Sequence, residues 1–188
     1  MKRIAIFALA AGLGLPAFAV PETYVIDTNH TKPRFEYSHF GYSTQSSRFD
    51  TVTGKITIDR AAKTGSANVT IDVKSVNTGS DVFNGHLKGE DFFDADKFPT
   101  ITFKSTAFKF EGDKPVAIEG MLTSKGISKP VTLAVTSFQC MPHPLAKKDA
   151  CGANATTKIK RSDFNNAKYA PYVSDEVTLI IPVESIKE

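Results

Sequence analysis

A chain of 188 residues, 41% of them hydrophobic, with 23 Lys and Arg against 20 Asp and Glu, is enough material for one domain with a single core. Its formal charge is only +3 and it contains no basic run, which argues against nucleic acid as a partner, because phosphate binding needs clustered cations. No internal repeat, low-complexity tract or linker marks a second domain.

At the amino terminus, Lys2-Arg3 precedes an apolar run from Ile4 to Phe18 that ends in the small-x-small pattern Ala17-Phe18-Ala19. This predicts a signal peptide over residues 1–19 and an exported domain over residues 20–188, starting at Val20. A membrane anchor would need roughly 20 apolar residues, and this run is shorter and interrupted by Gly12, Gly14 and Pro16. No cysteine stands beside the cleavage point, which disfavours a lipid-modified lipoprotein. Removing the leader takes Lys2 and Arg3 with it and leaves 169 residues with a net charge of +1.

Along the exported part, alternation of apolar and polar residues predicts strands near Thr23 to Asp27, Arg34 to Tyr37 and Phe49 to Asp59. Ala67, Val69, Ile71 and Val73 then alternate with Asn68, Thr70, Asp72 and Lys74. The long connection from Ser75 to Pro99 is no plain hairpin; Ser80 can cap a short helix with Phe83 and Leu87 one turn apart, although Gly85 weakens it. Strands resume near Ile101 to Phe110, Pro115 to Thr123, Val131 to Val135, Ala153 to Ile159 and Glu176 to Val183. The whole reads as an all-β protein of about eight or nine strands. Parity slips after Phe49 and after Phe103, which bulges or bends would explain. Lys63-Thr64-Gly65, Glu111-Gly112-Asp113 and Ser124-Lys125-Gly126 supply turns in which glycine accepts a positive backbone angle, and links this short imply antiparallel neighbours.

Cys140 and Cys151 lie in the exported part with ten residues between them, in a segment holding Pro142, Pro144 and Gly152, and a disulfide is the natural reading. A metal site built on these thiolates with His143 matches no two-knuckle zinc spacing and lacks a fourth ligand. His30, His39, His86 and His143 occur singly, so a zinc site could arise only by folding. Glu90, Asp91, Asp94 and Asp96 form an acidic knot without the alternation and central glycine of a calcium loop, and read as a solvated loop. No Gly-x-Ser-x-Gly elbow, Ser-x-x-Lys pair or glycine-rich phosphate loop is present. The expectation is therefore no catalytic residue, no metal and no cofactor.

The stretch from His86 to Thr106, HLKGEDFFDADKFPTITFKST, couples the short helix, the pair Phe92-Phe93 and the corner Lys97-Phe98-Pro99 directly to a strand. His39-Phe40-Gly41-Tyr42-Ser43 precedes it; the run from Gly126 to Leu133 and Lys160-Arg161-Ser162-Asp163-Phe164 follow it. In content and order these resemble the YceI-like family of periplasmic polyisoprenoid-binding proteins, from about Tyr24 to Ile186. The resemblance implies a lipocalin-like closed antiparallel β-barrel of about eight strands with a short helix across one end. It also implies a long apolar lipid as ligand, the periplasm as location, and no known catalysis. The chain departs from the family's pattern at Phe83 and Asn84, where an Arg-Asp pair is usual, and at Asn165, where glycine is common; asparagine tolerates the left-handed region and should keep that turn.

An eight-stranded barrel either fills its interior or holds one small ligand, and strand pattern alone leaves both open. With the resemblance, the aromatic residues read as the wall of a slot: Phe35, Tyr37, Phe40, Phe49, Phe83, Phe92, Phe93, Phe98 and Phe103, with Val69, Ile71 and Leu87 beside them. Arg34, Arg48, His86, Lys88 and Arg161 are candidates for its polar mouth. The expected ligand is a polyisoprenoid or isoprenoid quinone, carried or sensed. The partner set is that apolar lipid, with room for transient contact with the membrane or membrane redox proteins and for a homodimer. The rival readings are a hydrolase or isomerase acting on an amphiphile in the same barrel, and a structural or inhibitory barrel with a filled interior.

Overall fold

In β5 (Thr64–Asp72), Ala67, Val69 and Ile71 face the barrel interior while Asn68 points to solvent, the period of two that the sequence predicts. The computed structural model describes residues 20–188, and the predicted signal peptide and its cleavage point lie outside the described residues. The remaining strands are β1 (Glu22–Ile26), β2 (Arg34–His39), β3 (Ser43–Phe49), β4 (Val52–Asp59), β6 (Val76–Asn77), β7 (Thr100–Glu111), β8 (Lys114–Ser124), β9 (Ile127–Pro142), β10 (Asp149–Lys160) and β11 (Glu176–Lys187). One helix, α1 (Asp81–Lys88), lies between β6 and β7.

These segments amount to eight long strands. β1 and β2 pair with the same strand, β11, through Tyr24↔Lys187 and Glu36↔Thr178, so they are two halves of one interrupted strand. β3 and β4 pair with those halves in turn, and β6 and β5 pair with β3 and β4. From there β7 to β11 follow as an antiparallel meander, and β11 closes on β1. Side chains patch each interruption. Between β1 and β2, Thr31 Oγ1 donates to the Glu184 carbonyl at 3.1 Å and accepts from the Glu184 amide at 3.0 Å. Between β3 and β4, the Asp50 amide reaches the Ser75 carbonyl and the Thr51 amide reaches Ser75 Oγ, both at 3.0 Å. The ladder thus stays satisfied while the sheet bends.

Both expected parity slips are visible. The first is the break at Asp50-Thr51; the second is a pair of register shifts in β7, between Ser105 and Ala107 and between Lys109 and Phe110, which turns Phe108 inward on the same side as Phe103. Three details differ from expectation. β3, with the sequence STQSSRF, has no apolar alternation and only Ser47 and Phe49 buried, so periodicity does not reveal it. The Cys140 and Cys151 region is strand rather than loop, because β9 and β10 run on to Pro142 and back from Asp149. In the β4–β5 turn, Lys63 rather than Gly65 takes the positive φ (54°), and Gly65 instead makes room for the ring of Phe108.

α1 crosses one end of the barrel as expected. Ser80 Oγ accepts from the Phe83 amide at its start, Leu87 is buried, and Phe83 packs against the same apolar cluster. Asn84 has its own task there: its Oδ1 accepts from the Thr78 amide at 2.7 Å and the Thr78 hydroxyl at 2.9 Å. The acidic knot that follows is paired on the surface, Asp96 with Lys74 at 2.8 Å and Asp91 with Lys168 at 3.2 Å. Asn165 is left-handed (φ 53°), which keeps the turn.

Candidate functional site

The barrel interior is not filled by side chains. A cavity of ≈ 390 Å³ runs along it, within the roughly 300–1,000 Å³ of small-molecule sites. Phe83, His86 and Leu87 of α1, with Phe92 and Phe93 just after it, wall the helix end. Ile58, Ala67, Phe108, Ile118 and Phe138 wall the far end. Near the helix, rings interlock: Phe93 stands edge-on to Phe35 at 5.8 Å and to Phe49 at 5.5 Å, and Phe92 lies 4.8 Å from the His86 ring. The wall reaches the surface at Phe40 and Tyr169, each about half exposed.

The structure brings all of Arg34, Phe35, Tyr37, Phe40, Phe49, Val69, Ile71, Phe83, His86, Leu87, Phe92, Phe93, Phe103 and Arg161 onto this one wall. Three other candidates lie elsewhere. Arg48 is paired with Asp50 at 2.7 Å, Lys88 ends α1 off the wall, and Phe98 packs outside against the backbone of Gly126 with Lys97 over its ring. Sequence reasoning missed the share of wall given by β8 to β11, among them Ile118, Leu122, Leu133, Val177 and Leu179. Their alternation was the signal that could have found them. Asn166, Tyr169 and Val173 sit in the connection between the short 3-10 turn Arg161–Phe164 and β11, where no periodicity points inward.

Arg161 is one of the few charged residues on the wall. This residue is only 9% exposed, and its guanidinium donates to three backbone carbonyls: Nε to Ser174 at 2.9 Å, Nη1 to Asn166 at 2.7 Å and Nη2 to Val173 at 2.7 Å. It thereby holds the 165–175 connection against the barrel. Burial pulls the Arg161 guanidinium down from its usual range, opposed by the nearby Asp175 carboxylate. Asp175 is itself held below the usual carboxylate range by Ser162, whose hydroxyl donates to it at 2.6 Å. Burial pushes the Tyr37 phenol up, with Ser47 and the Arg161 charge pulling the other way. Ser47 lies beside Tyr37 without meeting hydrogen-bond geometry, and both Tyr37 Oη and Asn166 Oδ1 are buried with no partner among the described residues. The wall carries His39 and His86 but no Asp, Glu or Lys.

Cys140 and Cys151 are bonded across the β9–β10 pair, where they are direct register partners. Such a bond fits an oxidising, non-cytoplasmic compartment. Among the described residues, one group of metal-ligating types converges away from the cavity: His30 Nδ1 lies 2.7 Å from Asp27 Oδ2 and 3.9 Å from Glu184 Oε2. His30 is 61% exposed and already bonded to Asp27, so an ion pair accounts for the group.

Comparison with known proteins agrees with this architecture. The family model described as YceI-like domain matches residues 24–185. "Protein YceI" of Salmonella arizonae is 37% identical over 190 residues, covering 100% of this chain and 98% of its own length, and "Protein YceI" of Salmonella paratyphi B matches to the same extent. Among solved structures, BcnA of Burkholderia cenocepacia superposes with a TM-score of 0.73 at 28% identity, covering 85% of this chain and 98% of its own. A polyisoprenoid binding domain from Saccharophagus degradans superposes with a TM-score of 0.66 at 19% identity over 88% of this chain and 98% of its own, and shares the fold.

Proposed function

The chain belongs to the YceI-like family, and on that premise we propose that it is a periplasmic binding protein, a carrier or sensor, for a long-chain amphiphilic lipid such as a polyisoprenoid or isoprenoid quinone. The observation that carries this reading is the apolar cavity extending from the helix end of the barrel to the Ile58–Phe108 cluster. An isoprenoid tail leaving water for such a wall gains about 0.8 kcal/mol for each buried CH2. Burial therefore supplies affinity, and few polar groups are needed. The disulfide and the leader pattern of residues 1–19 both support export.

A hydrolase or isomerase in the same barrel has less support. His86 has no carboxylate beside it on the wall to orient or activate it, and Asp91 faces Lys168 at the surface. Loading from a bilayer suits the cavity's rim: Phe40 stacks on Tyr172 at 6.0 Å, and Tyr42 and Tyr172 on the neighbouring connections and Val82 on α1 are largely exposed. Aromatic residues with one apolar and one polar end favour the membrane interface.

The test is organic extraction of protein purified without detergent, with native mass spectrometry before and after. A near-stoichiometric isoprenoid or quinone is expected. Stripped protein should rebind it unchanged and gain about 2.7 kcal/mol of stability at a hundredfold excess over Kd. Recovery of a chemically altered lipid would favour the enzyme, and failure to find or rebind any lipid would overturn the reading.

A further inference from the structure

Two glycines take inward-facing positions in the half of the barrel away from α1. Gly65 shares the parity of Ala67, Val69 and Ile71 on β5, and Gly120 falls between Ile118 and Leu122 on β8, all of which line the cavity. Neither has a positive φ, so backbone conformation does not call for glycine at either place. Space does: a Cβ on Gly65 would meet Phe108 Cδ2 at 2.6 Å, and one on Gly120 would meet Phe103 Cζ at 2.5 Å. These are the two cavity-lining rings of β7, the strand between β5 and β8, and they lean apart, Phe103 over β8 and Phe108 over β5. The register shift between Ser105 and Ala107 brings both to the inner face. Ser105 Oγ accepts from the Ala67 amide at 2.8 Å, just past the last β5–β7 pair at Asn68↔Lys104, and so patches the ladder there. Rings laid along the wall leave the bore between them open; pushed upright by alanine, they would cross it.

We infer that Gly65 and Gly120 are specificity-determining residues: by drawing Phe108 and Phe103 aside they widen the far half of the cavity, which therefore takes a methyl-branched chain in preference to a straight alkyl chain. This inference rests on the lipid-binding reading above. A straight chain in a widened bore has flanks without partner atoms, and gaps of that kind forfeit dispersion contacts. Branch methyls fill those flanks, each worth about fourfold in affinity when buried. The helix end works differently, because there Phe93 stands edge-on to Phe35 and Phe49 at 5.8 and 5.5 Å and the rings interlock. Selection by the shape of the tail thus falls to the half that holds the two glycine slots.

The test is equilibrium binding of phytanol and of hexadecanol, which has the same main chain without the branch methyls, to stripped protein. The wild type should bind phytanol about tenfold or more tightly than hexadecanol. Gly65→Ala meets only the ring of Phe108, and should cut that margin about fivefold while leaving hexadecanol binding within about twofold. Adding Phe108→Leu to Gly65→Ala should restore the margin, which general loosening of the barrel would not do. Gly120→Ala also meets the Lys104 carbonyl oxygen, so it is read beside Gly120→Ala with Phe103→Leu, and thermal unfolding reports that each variant is folded. A wild type without preference for phytanol, a margin unchanged by Gly65→Ala, or an equal loss for both alcohols would overturn the assignment of the glycines while leaving lipid binding intact. Absence of binding by both alcohols would overturn the lipid-binding reading as well.

Discussion

Gly120 leaves the space that the ring of Phe103 occupies: a Cβ on Gly120 would lie 2.5 Å from Phe103 Cζ and 2.7 Å from the Lys104 carbonyl oxygen. Phe103 is part of the cavity wall, so the missing side chain on β8 sets how far that ring stands back from the interior. Gly120→Ala should push the ring inward and strain the β7–β8 pair, at a cost of about 1–3 kcal/mol for overpacking. Denaturant unfolding measures the cost, and a reduced affinity for the longest tails should accompany it.

Arg161 reaches the wall, but it acts first on the backbone. Arg161→Met keeps the apolar stem and removes the donors to Asn166, Val173 and Ser174. Leaving those carbonyls unpaired should cost about 2–4 kcal/mol. Hydrogen exchange in 165–175 should rise more than in the β9–β10 hairpin; uniform protection across the barrel would show that the connection is held by other contacts.

Much of this was legible in the sequence wherever one face of a strand is apolar. Ala67, Val69 and Ile71, or Val131, Leu133 and Val135, announce an inward face because the period is two and the outward residues are polar. β3 was not legible, since Ser43 to Arg48 carry no apolar alternation and the strand exists through its pairing with β2. The helix and its capping serine were local features and could be read directly. Asn166 could not: it reaches the wall because Arg161 holds its carbonyl across five residues, a contact that no spacing rule encodes.

The cross-strand bond between Cys140 and Cys151 closes a short loop in the unfolded chain. Chain entropy puts its contribution at about 3 kcal/mol at most. Replacing both residues with alanine should lower Tm within that bound, while the cavity persists because the β9–β10 ladder does not depend on the bond. Intact mass with and without reductant checks the premise, two alkylatable thiols in unreduced protein being the contrary result.

The Asp27–His30 pair makes stability depend on pH from both sides. The Asp27 carboxylate bonded to His30 raises the imidazole above its ordinary value of about 6.5, and His30 in turn holds Asp27 below the usual carboxylate range. The folded His30 binds its proton more tightly than the unfolded one, so its contribution is fully present below about pH 6.5 and fades as pH rises through the raised value. Asp27 contributes above its ordinary carboxylate range and fades as pH falls through its lowered value. His30→Gln should flatten the Tm profile on the neutral side, and a proton titration of the His30 ring followed by NMR should show the raised midpoint directly.

Phe83 separates cavity wall from plain core. Its ring lines the cavity, lies 6.0 Å from the His86 ring and packs against the cluster built on Phe35 and Phe49. It sits on a helix crossing the barrel end, and it is only partly buried, so a longer side chain can turn outward with its charge in water. Phe83→Arg should therefore leave the barrel folded while weakening lipid uptake or changing head-group preference, since it removes apolar wall beside the opening and brings a cation near it. Circular dichroism and thermal unfolding report the fold, and titration with a fluorescent isoprenoid analogue reports uptake. Unchanged uptake and selectivity would remove Phe83 from the site. Global unfolding would show instead that its packing on Leu87 and the Phe35–Phe49 cluster holds the barrel end closed.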